Sequence, residues 1–157
     1  MIATVLPTAA VVGAVGCGLM AGVFLAFSTS VVPGLRGMAP AAGAAAMQQF
    51  NRAILNPLFL GVFLGTALVS LLLVVAAPFS GRPGAAWIVA GGLLYLVGSL
   101  GITTAVNVPM NVRLDAADPA SAEGQRIWAE YLSRWTAWNH VRALACTAAT
   151  AALVVGV

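Results

Sequence analysis

The chain has 157 residues, 61% of them hydrophobic and 7% charged, a balance outside that of soluble globular domains and suited to a lipid environment. Seven arginines, no lysine and four acids leave a formal charge of +3, too sparse and scattered for a nucleic-acid surface. Cys17 and Cys146 stand far apart with no Cys-x-x-Cys partner, which argues against a disulfide framework or a redox dithiol and leaves them as small core residues.

A helix needs about 20 mostly apolar residues to cross the hydrocarbon core. Four stretches meet that need, over about 2–28, 57–77, 86–106 and 138–157. The predicted fold is therefore all-α: one domain, residues 1–157, folded as a transmembrane four-helix bundle running up-down-up-down. The first stretch lacks a basic leader and a cleavage site, so it reads as a retained span, and its Ala14–Cys17 segment as part of that span and not as a lipidation site.

Between spans one and two, Pro33, Gly34, Pro40 and Gly43 are expected to break the chain before a short loop helix over Ala44–Leu55. Pro78–Gly84 leaves room for a tight turn alone. The third link, Asn107–Ala137, carries all four acids, and Asp118-Pro119 is expected to start a helix with Glu123 in its first turn. That helix runs on into span four as a cytoplasmic extension. Arg36, Arg52, Arg113, Arg126 and Arg134 lie in links one and three, against Arg82 alone in link two. The positive-inside rule then places both large links in the cytoplasm and both termini outside.

Gly18-x-x-x-Gly22 and Gly61-x-x-x-Gly65 are expected to let helix backbones approach closely, with Gly91, Gly92, Gly98 and Gly101 doing the same on span three. Polar residues gather at one end of all four spans: Ser28, Thr29 and Ser30; Asn51, Arg52 and Asn56; Thr103, Thr104, Asn107 and Asn111; Trp138, Asn139, His140 and Arg142. Since an unpaired polar group in lipid costs several kcal/mol, such convergence predicts a ligand pocket with apolar walls and a polar, aromatic mouth. Each residue also has a plainer role as a helix cap or interfacial anchor.

On span three, Thr103, Thr104, Asn107 and Asn111 fall on one helical face, with Pro109 interrupting the helix between the two asparagines. Along span four, Trp128, Tyr131, Trp135, Trp138 or Asn139, and Arg142 form an aromatic face ending in a charge. An arginine inside a span faces protein and needs an acceptor, for which Glu130 and the asparagines are the candidates. His140, the single histidine, has the ordinary pKa suited to proton transfer near neutrality. It lies two positions from Arg142, so a continuous helix turns the two side chains to different neighbours. With one His, two separated Cys and no carboxylate within a span, no zinc, di-iron or copper site assembles from one chain. A haem held by His140 alone is the one cofactor the residues leave open.

Ala21-Gly-Val-Phe-Leu-Ala-Phe-Ser-Thr29, Phe50-Asn-Arg-Ala-Ile-Leu-Asn-Pro57, Asn107-Val-Pro-Met-Asn111 and Trp135-Thr-Ala-Trp-Asn-His-Val-Arg142 together resemble the DUF1772, or anthrone oxygenase, family of membrane proteins over nearly the whole chain. The resemblance implies oxidation of an anthrone to an anthraquinone by O2. An anthrone carries an acidic benzylic C–H whose anion reacts with O2 without a metal. On this reading His140 takes the proton and Arg142, Asn107 or Asn111 stabilises the enolate oxygen. Trp135 or Trp138 stacks on the ring, and Asn139, Tyr131, Asn51, Asn56 and Ser28 complete the pocket. The expected protein is a cofactor-independent oxygenase of the bacterial inner membrane, acting on a hydrophobic aromatic substrate and open to homo-oligomerisation. The competing expectation is a non-catalytic four-span module that binds a hydrophobic small molecule or a partner protein.

Overall fold

The computed structural model describes the backbone of residues 2–157 and the side chains of residues 5–157. All regular structure among them is helical: α1 (Ile2–Ala26), α2 (Val32–Arg36), α3 (Pro40–Ala53), α4 (Pro57–Ala76), α5 (Ala85–Tyr95), α6 (Val108–Asp115) and α7 (Ala122–Gly156), with short π and 3-10 segments between them. Three rods have the length and apolar composition to cross a membrane: Val5–Arg36, Pro57–Phe79 and Ala85–Asp115. The fourth expected span forms the C-terminal half of the 35-residue α7, which is not among those three.

The four long rods pack side to side: α1 lies on α4 and α7, and α5 lies on the same two helices. Tyr95 donates to the Phe63 carbonyl at 3.0 Å and Thr150 to the Ala14 carbonyl at 3.4 Å, tying α5 to α4 and α7 to α1. One apolar core fills this ring from Leu6 to Phe24 and from Ala143 to Leu153. A second core, built on Val32, Met47, Leu114, Trp128, Tyr131 and Trp135, sits where α2, α3, α6 and the first half of α7 meet. The site described below lies where the two cores join.

Pro33 and Pro109 do not break their rods. A proline removes a backbone donor and crowds the carbonyl one turn earlier. Here a π segment precedes each one, Phe27–Val31 before Pro33 and Thr103–Asn107 before Pro109, and the wider turn absorbs the clash. Thr29 donates to the Leu25 carbonyl at 2.8 Å, and Thr104 to the Leu100 and Gly101 carbonyls at 3.0 Å, satisfying acceptors in and beside these segments. The expected break at Pro33 and Gly34 thus moves to Gly37–Ala39.

Other expectations shift for equally local reasons. The loop helix begins at Pro40, which takes the first helical position. α7 starts at Ala122, capped by Ser121, whose hydroxyl accepts from Gly124 N at 2.9 Å. Asp118 folds a turn instead, accepting from Ala120 N at 3.0 Å. Link two is the tight turn expected, with Gly81 at φ 67°.

The small-residue motifs pack differently from their reading. A side chain at Gly22, Gly61 or Gly65 would meet nothing within 4 Å, and one at Gly18 only Thr150 at ordinary contact; Gly101 approaches only its own helix. Close approaches include Gly91, Gly92 and Gly98, as expected for span three, and also Gly16, Gly84 and Gly156, which lie outside the motifs. A Cβ at Gly92 would sit 2.9 Å from the Ser70 carbonyl and 2.6 Å from Val74 Cγ2. Gly92→Leu should therefore lower the melting temperature in detergent, with a cost of about 3 kcal/mol for forcing α4 and α5 apart. Gly61→Leu, inside a sequence motif but facing open space, should leave it unchanged.

Candidate functional site

α7 carries the site's spine. Trp128, Tyr131 and Trp135 stack at centroid spacings of 5.8 and 5.3 Å, and the buried stripe continues through Asn139 to Arg142. Steps of three and four residues keep these side chains on one helical face. Trp138 and His140 fall outside that stripe and are exposed.

Arg142 is 5% exposed. Its guanidinium lies 4.2 Å from the Phe24 ring centroid and 5.4 Å from that of Trp135, between aromatic faces that favour a cation. Nη1 donates to Thr103 Oγ1 at 3.0 Å and Nη2 to Asn139 Oδ1 at 2.6 Å, while Nε has no partner. Asn139 is held in turn: its Nδ2 donates to the Phe24 carbonyl at 2.7 Å and to Ser28 Oγ at 2.6 Å. Ser28 and Thr103 lie on the two π segments that precede Pro33 and Pro109. The same local distortion thus delivers both of the hydroxyls that grip the Asn139–Arg142 pair.

No carboxylate reaches the guanidinium. Asp115 pairs with Arg52 at 2.7 Å, Glu123 with Arg126 at 2.7 Å, and Glu130 with Arg113 and Arg134 at 2.8 and 2.7 Å. Asp118 is occupied in its turn. Glu130, considered above as a partner for Arg142, is committed outside the site, and its two arginines hold its carboxyl below the usual range.

Beside Arg142 opens a pocket with about 550 Å³ of empty space when its solvent-open mouth is included. Val23, Phe24 and Phe27 from the first rod, Phe50, Asn51, Ile54 and Leu55 from α3 and its loop, and Phe59 from α4 form much of its wall. Thr103, Val108 and Asn111 from the third rod and Trp135, Asn139 and Arg142 from α7 close it. Behind the wall, Tyr131 donates to Asn111 Oδ1 at 2.8 Å and Asn51 donates to the phenol oxygen at 3.4 Å. Burial pushes the Tyr131 phenol up, so it stays protonated as a donor. Gln48 fastens α3 to the end of α6 through the Leu114 and Ala117 carbonyls.

Of the residues singled out in the sequence, Asn51, Asn111, Trp135, Asn139 and Arg142 line one cavity. Ser28 and Tyr131 support it from behind. Asn107 is buried against the Trp135 carbonyl at 3.4 Å, its Oδ1 unpartnered. Thr104 turns away from the face it was expected to share with Thr103 and bonds its own backbone. Asn56 caps α4, accepting from Phe59 N at 3.0 Å. His140 lines neither this pocket nor the small cleft beside Glu130. At about 100° per residue, two steps carry it roughly 200° around α7 from Arg142.

The aromatic walls Phe24, Phe27, Phe50 and Phe59 were not singled out, because in an apolar chain a phenylalanine at a pocket carries no mark distinguishing it from one in the core or facing lipid. Thr103 was visible as a polar residue but not as the partner of Arg142.

Searches of curated proteins and of solved structures found no match to this chain. The family model described as anthrone oxygenase matches residues 50–152, a stretch holding every pocket residue except Val23, Phe24 and Phe27. The chain belongs to the anthrone oxygenase family, and that membership points to an oxygenase-type role.

Proposed function

We propose that this protein is a cofactor-independent membrane oxygenase that binds a flat, hydrophobic anthrone-like or phenolic substrate beside Arg142 and oxidises it with O2. The observation that carries the reading is a buried guanidinium, set among aromatic rings, with no carboxylate to neutralise it. A buried charge without a counter-ion is costly, and an anionic ligand relieves that cost.

The chemistry needs little else. The benzylic carbon of the substrate loses a proton, and the negative charge moves to the carbonyl oxygen, where Arg142 meets it. Stabilising that oxyanion by about 3 kcal/mol lowers the pKa of the bound substrate by roughly two units, so water at the mouth can take the proton. The carbanion adds O2 and a proton to give a hydroperoxide, which loses water and leaves the second carbonyl. Trp135 and Phe27 hold the ring flat while Asn51 and Asn111 are within reach of its polar edge.

Four crossings, up-down-up-down, complete the reading, with α7 supplying the fourth. Arg36, Arg52, Arg113, Arg126 and Arg134 mark the pocket end as cytoplasmic, in a bacterial inner membrane. A non-catalytic module that binds the same aromatic anion is the second reading. It is favoured by the absence of imidazole and carboxylate from the pocket wall.

Purified protein incubated with anthrone and O2, scored for anthraquinone and for bound metal, separates the two. Anthraquinone formation above the spontaneous rate by metal-free protein supports the oxygenase, and its absence leaves the binder. His140→Gln should retain the wild-type rate to within about twofold, since surface changes away from a site have small effects. A dead but folded His140→Gln protein would move the chemistry out of this pocket.

A further inference from the structure

The pocket has one apolar side and one polar side. Toward the loops, Asn51 and Asn111 in the cavity wall are joined through Tyr131 behind it, and the Arg52–Asp115 ion pair bridges α3 to the end of α6. In the other direction α4 packs on α1 and α5 but shares no substantial interface with α6. The rim on that side is apolar and uncovered: Leu55 is 65% exposed, Leu58 79%, Val108 42% and Phe50 42%. Leu55, Val108 and Phe50 also line the cavity, so the exposed rim is continuous with the interior. Leu58 opens a helix apolar enough to cross a membrane, and Val108 lies within another.

We propose that the gap between α4 and α6 is a lateral portal, through which the substrate passes from the hydrocarbon of the bilayer into the pocket, oxygen-bearing end first toward Arg142. This inference rests on the substrate reading above for the identity of what passes. It narrows the substrate class to molecules that dissolve in lipid and carry one polar, ionisable end on an otherwise apolar body. An exposed apolar rim is costly against water and costs nothing against lipid, while a row of amides and an ion pair on the opposite side suits the headgroup region. Water-soluble aromatic acids would have to pass the closed polar side.

The test uses full-length protein in phosphatidylcholine nanodiscs and anthrone under oxygen-free buffer, so that binding is read without oxidation, by quenching of the native tryptophans. Association should follow the mole fraction of anthrone in the lipid. Leu58→Trp, on the rim but outside the cavity wall, should slow association and dissociation alike, by about tenfold, leaving Kd nearly unchanged, which is the signature of a narrowed passage and not of a lost contact. Asp115→Asn, on the polar side, should alter neither rate. Association that follows aqueous anthrone, or that changes with Asp115→Asn and not with Leu58→Trp, overturns the portal. If the wild-type protein binds no anthrone the substrate reading fails, and the portal is scored separately in nanodiscs of brominated-acyl-chain lipid. There, the emission added by Val108→Trp or by Leu55→Trp is quenched if the mouth opens into hydrocarbon. Unquenched emission from both overturns the portal whatever the substrate.

Discussion

Replacing Arg142 with glutamine should lower the rate of anthraquinone formation by about 10²–10³-fold, the range seen when one preorganised oxyanion donor is removed. Arg142→Met should do the same, and the two variants separate catalysis from folding. In most proteins loss of a buried arginine unfolds the chain by stranding a carboxylate. Here there is no carboxylate to strand: the lost partners are Thr103 Oγ1 and Asn139 Oδ1, both neutral. Methionine fills the space between Phe24 and Trp135 and removes the cost of burying a charge, which offsets the roughly 1–3 kcal/mol for leaving Asn139 Oδ1 unpaired, so the melting temperature should stay within a few degrees of wild type.

A companion variant tests the charge itself. Thr103→Asp sets a carboxylate where Thr103 Oγ1 now accepts from Nη1 at 3.0 Å, neutralising the guanidinium without removing it. Anthrone turnover should fall by at least about 10²-fold as binding energy for an anion is lost, with the fold intact by circular dichroism. Retained activity in Thr103→Asp would show that Arg142 does not meet an anion.

Asn139→Leu should damage stability and activity together. Asn139 is fully buried, and the substitution leaves Ser28 Oγ, the Phe24 carbonyl and Arg142 Nη2 without their partner. Single hydrogen bonds between membrane helices contribute about 0.6 kcal/mol on average, which would make the variant mild. Two features make it severe: three groups are orphaned at once, and one of them is charged, so the penalty for burying unpaired groups applies at about 1–3 kcal/mol each. A loss of at least about 3 kcal/mol corresponds to a fall in melting temperature of roughly 6–12 °C for a chain of this size. A shift under 2 °C would mean that water satisfies these groups and that the pocket is wetter than its apolar walls suggest.

Family membership and the all-helical, apolar character of the chain were legible from the sequence because they depend on runs and short motifs, which are local. The buried stripe from Trp128 to Arg142 was legible too, since helical periodicity alone sets which α7 side chains share a face. Asn139 continues that stripe and Trp138 does not, a choice the spacing had left open. The same periodicity separated His140 from Arg142. The motifs alone did not say which of the two faced the cavity.

What the sequence determined by itself was composition, periodicity and the inventory of charge: a lipid-suited chain, one rod bearing aromatic residues, and four acids set apart from the spans. What only the tertiary structure decided was pairing. All four acids turn out to be committed elsewhere, leaving Arg142 without a counter-ion; the GxxxG glycines make no close helix contact while Gly16, outside them, meets Thr66; and two prolines, expected to break helices, instead produce the π turns that carry Ser28 and Thr103 to the site. The reason is physical. Local patterns fix which side chains share a face, but whether a charge is neutralised or a glycine is needed depends on atoms brought from distant parts of the chain, at distances no sequence spacing encodes.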